Sequence, residues 1–131
     1  MDTIENKTNK RPLSPHLQIY KPQITSILSI FHRFTGVFLA FGLLLSVIFV
    51  FFTAMGEETY KWWNCIVNSL VGNGLFFLWL LAIIFHALNG VRYFLWDNDI
   101  GMSIPSVKWS GLFVCVLTLV LTCVLGILIW M

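Results

Sequence analysis

Three long apolar stretches dominate the pattern of hydrophobic and polar positions along the chain. They run from about residue 24 to 52, from about 70 to 96 and from about 107 to 130. At about 1.5 Å of rise per residue, each is long enough as a helix to cross a hydrocarbon core of about 30 Å. None alternates with the period of a barrel strand, and lipid admits only helices or closed barrels. The pattern therefore predicts an all-α membrane protein with three transmembrane helices.

Composition supports a membrane protein with a polar tail. The chain has 131 residues, of which 58 % are hydrophobic and 11 % charged, far from the balance of a water-soluble domain. The first apolar stretch begins too far from the N-terminus, and is too long, for a cleavable signal peptide. We therefore divide the chain into a cytoplasmic N-terminal tail, residues 1–23, and a three-helix anchor in the lipid bilayer, residues 24–131. The net charge of +2 does not indicate nucleic-acid binding.

The distribution of Lys and Arg predicts the orientation of the spans. The N-terminal end of the first span carries five cations, whereas the following loop, residues 53–69, carries only Lys61. Arg92 and Lys108 bracket the loop after the second span. Because cytoplasmic segments are enriched in Lys and Arg, we expect the N-terminus in the cytoplasm or matrix and the C-terminus outside. We expect a multi-pass protein of the bacterial inner membrane, because no presequence is visible, with the mitochondrial inner membrane as the alternative.

His86 is the unusual residue of the second span. It lies six residues, or about 9 Å, inside the membrane from Arg92, which is too deep for an imidazole to reach the interface. Its neighbours four residues away, Ala82 and Gly90, are small and should leave a flat gap beside the ring. Two hypotheses follow from the residues alone. His86 forms a hydrogen bond across a close helix contact, or it coordinates the metal of a planar cofactor such as haem.

A second polar cluster, formed by Ser29, His32 and Arg33, opens the first span. Arg33 either marks the membrane interface, since residues 34–52 alone can span, or belongs to an internal polar site. The first two spans run in opposite directions, so this cluster and His86 share one depth. A cation suits a carboxylate and a hydroxyl suits a carbonyl, as in haem propionates and quinone oxygens. In a further alternative, His32 and His86 both coordinate one haem iron.

The third span carries a stripe of small residues but no recognisable chemistry. The stripe predicts a packing face against the other helices or a partner subunit. The chain has three cysteines but no C-x-x-C pair and no glycine-rich dinucleotide fingerprint. We therefore expect it to bind neither an iron–sulfur cluster nor a flavin nucleotide. The stripe consists of Gly111, Cys115, Thr118, Thr122 and Gly126.

Three motifs resemble the cytochrome b membrane-anchor subunits of succinate dehydrogenase over nearly the whole chain. They are RPLSPHLQIYKPQ at residues 11–23, SIFHRFTG at 29–36 and HALNGVRYFLWD at 86–97. The resemblance implies that His86 is an axial ligand of haem b, and that the other axial histidine comes from a second membrane anchor subunit.

The same resemblance implies roles for the polar residues around the haem. His32 and Arg33 would hold the haem propionates, and Ser29 and Arg33 would help to bind ubiquinone. Asp97, after the second motif, is a candidate proton relay. One residue departs from the family pattern, because Tyr93 stands where the motif usually has a second histidine.

The resemblance implies an anchor and electron-transfer subunit rather than an enzyme in its own right. A flavoprotein subunit would oxidise succinate and an iron–sulfur subunit would carry the electrons. Ubiquinone would be reduced beside this chain, as a step of the tricarboxylic acid cycle and the respiratory chain. The alternatives are the anchor subunit of a fumarate reductase and a cofactor-free structural membrane subunit.

Overall fold

The computed structural model describes residues 21–131, except for the side chain of Trp130. These residues form four helices and no strand: α1 (Ile24–Ala54), α2 (Glu57–Val67), α3 (Leu70–Asp97) and α4 (Ile104–Trp130). The three predicted spans are confirmed as α1, α3 and α4, each long and apolar enough to cross a membrane. The predicted tail, residues 1–23, lies almost entirely outside the described range.

The prediction of a simple loop between the first two spans was wrong. Residues 57–67 form an additional helix of 11 residues, α2. Gly56 makes the sharp turn from α1 possible, since its φ of 129° lies in a region that side chains disfavour. Glu57 and Lys61 then form an ion pair of 2.8 Å, one turn apart on the exposed face of the helix.

Contacts with α1 hold α2 in place. The ring of Trp63 packs against Phe49 and Phe52, with centroids 6.5 and 5.6 Å apart. A helix of 11 residues is only marginally stable by itself, so this packing is what stabilises it. The sequence of α2 is short and mixes polar with apolar residues, so by itself it does not predict a stable helix.

The bounds of the three spans differ from the prediction by a few residues. α1 extends to Ala54, α3 to Asp97, and α4 begins at Ile104 instead of about residue 107. The early start of α4 follows from Ser103 at the N-cap and a proline in the first turn. Proline is favoured there because its missing N–H has no helical partner in the first turn.

The helices pack around α3, which contacts both α1 and α4. A small core of Leu28, Phe85 and Val114 forms where the three spans meet. Over most of the remaining surface, large apolar side chains point outward, with Phe34 and Phe41 both more than half exposed. An apolar surface of this extent requires lipid or a partner protein around it.

The small-residue stripe of α4 is confirmed as a packing face within the chain. Gly111, Thr118, Thr122 and Gly126 are buried. A Cβ atom on Gly126 would come within 3.0 Å of the Phe77 ring of α3, so a larger residue would require this ring to shift by a few tenths of an ångström. The two threonine hydroxyls donate to carbonyls of α4 itself, at 2.7 Å each.

Candidate functional site

The imidazole of His86 faces α1 and is held there by hydrogen bonds to one nitrogen. Its Nδ1 lies 3.1 Å from the carbonyl oxygen of His32 and 3.1 Å from Oγ1 of Thr35. A carbonyl can only accept a hydrogen bond, so the proton of a neutral His86 must sit on Nδ1. We assign the tautomer from this network. The lone pair is consequently left on Nε2.

Nε2 of His86 forms no hydrogen bond with any described residue, and the side chain is only half-buried. Metal-binding histidines in proteins commonly donate one ring N–H to a carbonyl and present the other nitrogen to the metal. The bonding of His86 follows this pattern. The residue therefore fits an axial ligand of haem iron.

His32 stacks directly on His86. The two rings are nearly parallel, at 11°, with centroids 3.9 Å apart, and the edge of Tyr93 meets His32 from another side at 5.1 Å. The expected flat gap on α3 is therefore absent. Ala82 is 3 % exposed, and a Cβ atom on Gly90 would already lie 3.8 Å from the His32 ring. At Gly90 the space is therefore filled by a side chain of α1.

The stacked pair bears on two of the hypotheses. His32 and His86 lie face to face, and this arrangement does not favour the alternative in which both coordinate one haem iron. Nε2 lies at the edge of the His86 ring and not on the face that His32 covers, so the stacking leaves this nitrogen uncovered.

The other predicted site residues lie near the ends of α1 and α3 with their polar groups uncommitted. Arg33 is exposed and Ser29 half-buried, one helical turn apart on α1. Neither forms a hydrogen bond with another described residue. Asp97, the last residue of α3, is exposed and forms no ion pair within residues 21–131. The structure thus brings His32 and His86 into contact, while no direct bond joins Asp97 to Ser29 or Arg33.

Arg92 has a central position that the sequence did not predict. It is 4 % exposed, and its guanidinium donates to Oγ of Ser110 at 3.0 Å and to the carbonyl of Val107 at 3.0 Å. A third bond, of 3.3 Å, reaches Oδ1 of Asn89. The guanidinium also lies 4.1 Å from the centre of the Trp96 ring. Arg92 therefore ties α3 to the start of α4 through Ser110 and Val107, while the ring of Trp96 covers its guanidinium from within α3.

Asn89 extends this network to the third helix. It is completely buried, at 0 % exposure, and its Nδ2 donates to the carbonyl of Leu28 on α1 at 3.4 Å. Counting Arg92 as a cation of the loop was therefore wrong, because its charge is used inside the bundle. The sequence did contain an indication of this buried network. Asn89 and Arg92 are three residues apart on one face of an apolar helix, where polar groups need internal partners.

Comparison with known proteins agrees with the motifs. A family model described as succinate dehydrogenase/fumarate reductase transmembrane subunit matches residues 7–125. The succinate dehydrogenase cytochrome b556 subunit of Rickettsia prowazekii is 37 % identical over 119 residues, covering 91 % of this chain and 93 % of that protein. The cytochrome b560 subunit of Marchantia polymorpha is 40 % identical over 112 residues, 78 % of each protein. The mitochondrial cytochrome b560 subunit of Mus musculus is 36 % identical over 116 residues, 86 % of this chain and 68 % of that protein.

These similarities cover most of the chain and include both helix motifs. They confirm the resemblance inferred from the sequence, and together with the three spans they indicate a multi-pass inner-membrane protein. The chain belongs to the family of succinate dehydrogenase/fumarate reductase transmembrane subunits, alongside the cytochrome b subunits of succinate dehydrogenase.

Proposed function

We propose that this chain is the membrane-anchoring cytochrome b subunit of a succinate:ubiquinone oxidoreductase. It binds haem b through His86 and helps to form the site of ubiquinone reduction. The bonding of His86 carries this proposal, since Nδ1 is committed to a main-chain carbonyl and Nε2 is left uncommitted. The second axial histidine, the flavoprotein and the iron–sulfur subunit are contributed by partner chains.

His32 and Arg33 are suited to the propionate groups of the haem. Nδ1 of His32 is buried and has no hydrogen-bond partner in residues 21–131. Arg33, the next residue, can bind a carboxylate through two parallel N–H groups. When bound, a haem supplies a one-electron redox centre whose potential depends on its axial ligands and surroundings.

Ser29 and Arg33 form the part of the quinone site that this chain contributes. Their side chains start one turn apart on α1 and are free of other described partners. The Ser29 hydroxyl donates to a quinone oxygen, and the Arg33 guanidinium stabilises the negative charge that develops there during reduction. Asp97, exposed at the end of α3, passes protons from water to the site.

The orientation proposed from the sequence places this site beside the soluble subunits. With the N-terminus in the cytoplasm or matrix, the start of α1 and the end of α3 both lie on that side. Arg92 is buried and does not count toward the cations of that side. Lys21 and Lys108 are both exposed there, so Lys and Arg still favour this orientation. Electrons from the iron–sulfur subunit then have a short path to the quinone.

Two alternative functions receive less support. The family includes fumarate reductase subunits, but the relatives compared above are all succinate dehydrogenase subunits, so we propose succinate oxidation as the direction. A cofactor-free structural subunit gives no reason for the uncommitted Nε2 of His86 or the buried, unpartnered Nδ1 of His32.

A reduced-minus-oxidised spectrum of the intact complex tests the proposal. The wild-type complex should show the absorption bands of a b-type haem, and His86→Ala should abolish them. His32→Ala removes an imidazole from the same stack but keeps the main-chain carbonyl that holds His86, so it should weaken the binding of the propionates and leave the bands of an iron-bound haem in place. Unaltered haem bands in the His86→Ala complex, or no haem in the wild type, would contradict the proposal.

A further inference from the structure

We propose that Thr35 is a positioning residue for His86. Its hydroxyl and the carbonyl of His32 together hold the imidazole in one tautomer and one orientation, with Nε2 presented to the haem iron. This inference rests on the proposed role of His86 as a ligand. It adds a residue whose side chain contacts Nδ1 of His86 and the carbonyl of His32.

Oγ1 of Thr35, the carbonyl oxygen of His32 and Nδ1 of His86 each contact the other two. Oγ1 of Thr35 donates its proton to the carbonyl of His32 at 2.9 Å. Its lone pairs then accept from Nδ1–H at 3.1 Å, while the same carbonyl also faces Nδ1 at 3.1 Å. An unprotonated Nδ1 would instead face the carbonyl oxygen with its own lone pair, so the contact of 3.1 Å is favourable only when His86 is protonated on Nδ1. These contacts therefore select the tautomer that can coordinate a metal.

The hydroxyl of Thr35 differs from that of an ordinary helical threonine. Thr53, on the same helix, donates to the carbonyl three residues earlier, at 2.7 Å, and to nothing else. Thr35 makes the equivalent bond to His32 and in addition reaches a side chain of another helix. This second bond is not required for α1 to fold, which indicates a purpose at His86.

The remaining contacts of His86 restrict rotation but do not select an orientation by themselves. His32 covers one face of the ring, and a Cβ atom on Gly36 would come within 3.1 Å of Cε1. These contacts confine the ring to a narrow space against α1. Within this space, the two acceptors at Nδ1 determine the direction of Nε2. Without the Thr35 hydroxyl, only one acceptor would remain.

Removing the hydroxyl should therefore alter the haem in measurable ways. A weaker bond to Nδ1–H makes Nε2 a less electron-rich ligand, so the midpoint potential of the haem should rise. A changed ring orientation should alter the g values of the ferric haem in electron paramagnetic resonance. Loss of an outer partner typically weakens metal binding about 10-fold or more, so haem release should accelerate by roughly 10-fold.

The experiment compares three variants in the intact, purified complex. Thr35→Val removes the hydroxyl at constant shape, Thr35→Ser retains it, and Thr53→Val removes a hydroxyl that bonds only its own helix. For each, a redox titration gives the haem potential, resonance spectra give the g values, and transfer to apomyoglobin gives the release rate. We expect changes in Thr35→Val alone, with Thr35→Ser close to the wild type.

Three results would overturn the inference, and they differ in what else they affect. If the Thr35→Val complex has the wild-type potential, g values and release rate, Thr35 does not position His86, but haem ligation by His86 is unaffected. A wild-type complex that contains no b-type haem removes the proposed function as well. Thr35→Ala removes the same hydroxyl and is measured in the same way if the valine complex does not assemble. Equal changes in Thr35→Ser and Thr35→Val would also contradict a role for the hydroxyl.

Discussion

The two faces of α3 treat buried polar groups in opposite ways. Where α3 meets α4, Arg92 has three hydrogen-bond partners, and the buried threonines of α4 are satisfied. Where α3 meets α1, Nδ1 of His32, Oη of Tyr93 and Nε1 of Trp79 are buried without a partner in the described chain. We call the α3–α4 contact saturated because these polar groups have hydrogen-bond partners, and the α3–α1 contact open because these three buried atoms have none in the described chain.

The difference supports a structural role for the first contact and agrees with the ligand site proposed at the second. A buried polar group without a partner costs about 1 to 3 kcal/mol, and lipid offers no water to reduce this cost. A chain that satisfies its buried polar groups on one side of α3 is able to do so on the other. The open groups beside His86 therefore point to something added later, in agreement with a haem or quinone site.

The largest effect should come from breaking the saturated contact. Arg92→Leu leaves Asn89 and Ser110 without their cationic donor and should destabilise the folded bundle by about 3 kcal/mol. Denaturant titration of the purified complex measures this change. Lys108→Leu is the control, because Lys108 is an exposed cation of α4. Equal stability of the Arg92→Leu and Lys108→Leu complexes would contradict a structural role for Arg92.

The second prediction makes the same change, arginine to leucine, on the side of the open α3–α1 contact. Arg33→Leu should leave stability nearly unaltered, since Arg33 is exposed and has no partner in residues 21–131. Quinone reduction should fall by about 100-fold, as for the loss of one donor to a developing negative charge. Succinate oxidation with an artificial dye should persist, because it does not require this chain. Equal loss of both activities would argue against a quinone site at Arg33.

A smaller effect is expected within the saturated contact. Thr122→Val keeps the shape of a side chain that is 1 % exposed and removes one hydroxyl bond to the carbonyl of Thr118. That carbonyl keeps its helical N–H partner, so the loss of stability should be about 1 kcal/mol or less. A loss as large as that of Arg92→Leu would show that the hydroxyl has a partner beyond its own helix.

The smallest effect is expected at an open group. Tyr93→Phe removes a buried hydroxyl that has no partner in the described chain, so no hydrogen bond within the chain is lost and stability should not fall. The ring contact with His32 is retained. Denaturant titration of the complex provides the measurement. A clear loss of stability would mean that the unsaturated face is more tightly bonded than the comparison implies.

Much of the fold was predictable because each span has to meet lipid. A helix surrounded by hydrocarbon must be apolar along its length, so hydropathy alone located α1, α3 and α4 to within a few residues. His32 and His86 lie at one level, as the opposite directions of the first two spans predict. α2 escaped prediction because its stability comes from the contact of Trp63 with α1 and not from its own pattern.

The details of the site depended on how the helices are rotated about their axes. Spacing on α3 identified Ala82 and Gly90 as small neighbours of His86 but could not show which side chain of α1 fills the space. For Arg92, a cation near the end of a span resembles an interface anchor in sequence. Its burial follows from Val107 and Ser110 at the start of the next helix.

The carbonyl that faces His86 belongs to the main chain of His32, and this has an evolutionary consequence. A substitution at position 32 changes the stacked ring but cannot delete the acceptor. Mutational drift at that residue would therefore leave the ligand tautomer unchanged, provided that the crossing of the two helices is preserved. Selection for the electronic properties of the proposed ligand would then act on the packing of the two helices. Residues far from His86 that determine this packing would be under the same selection.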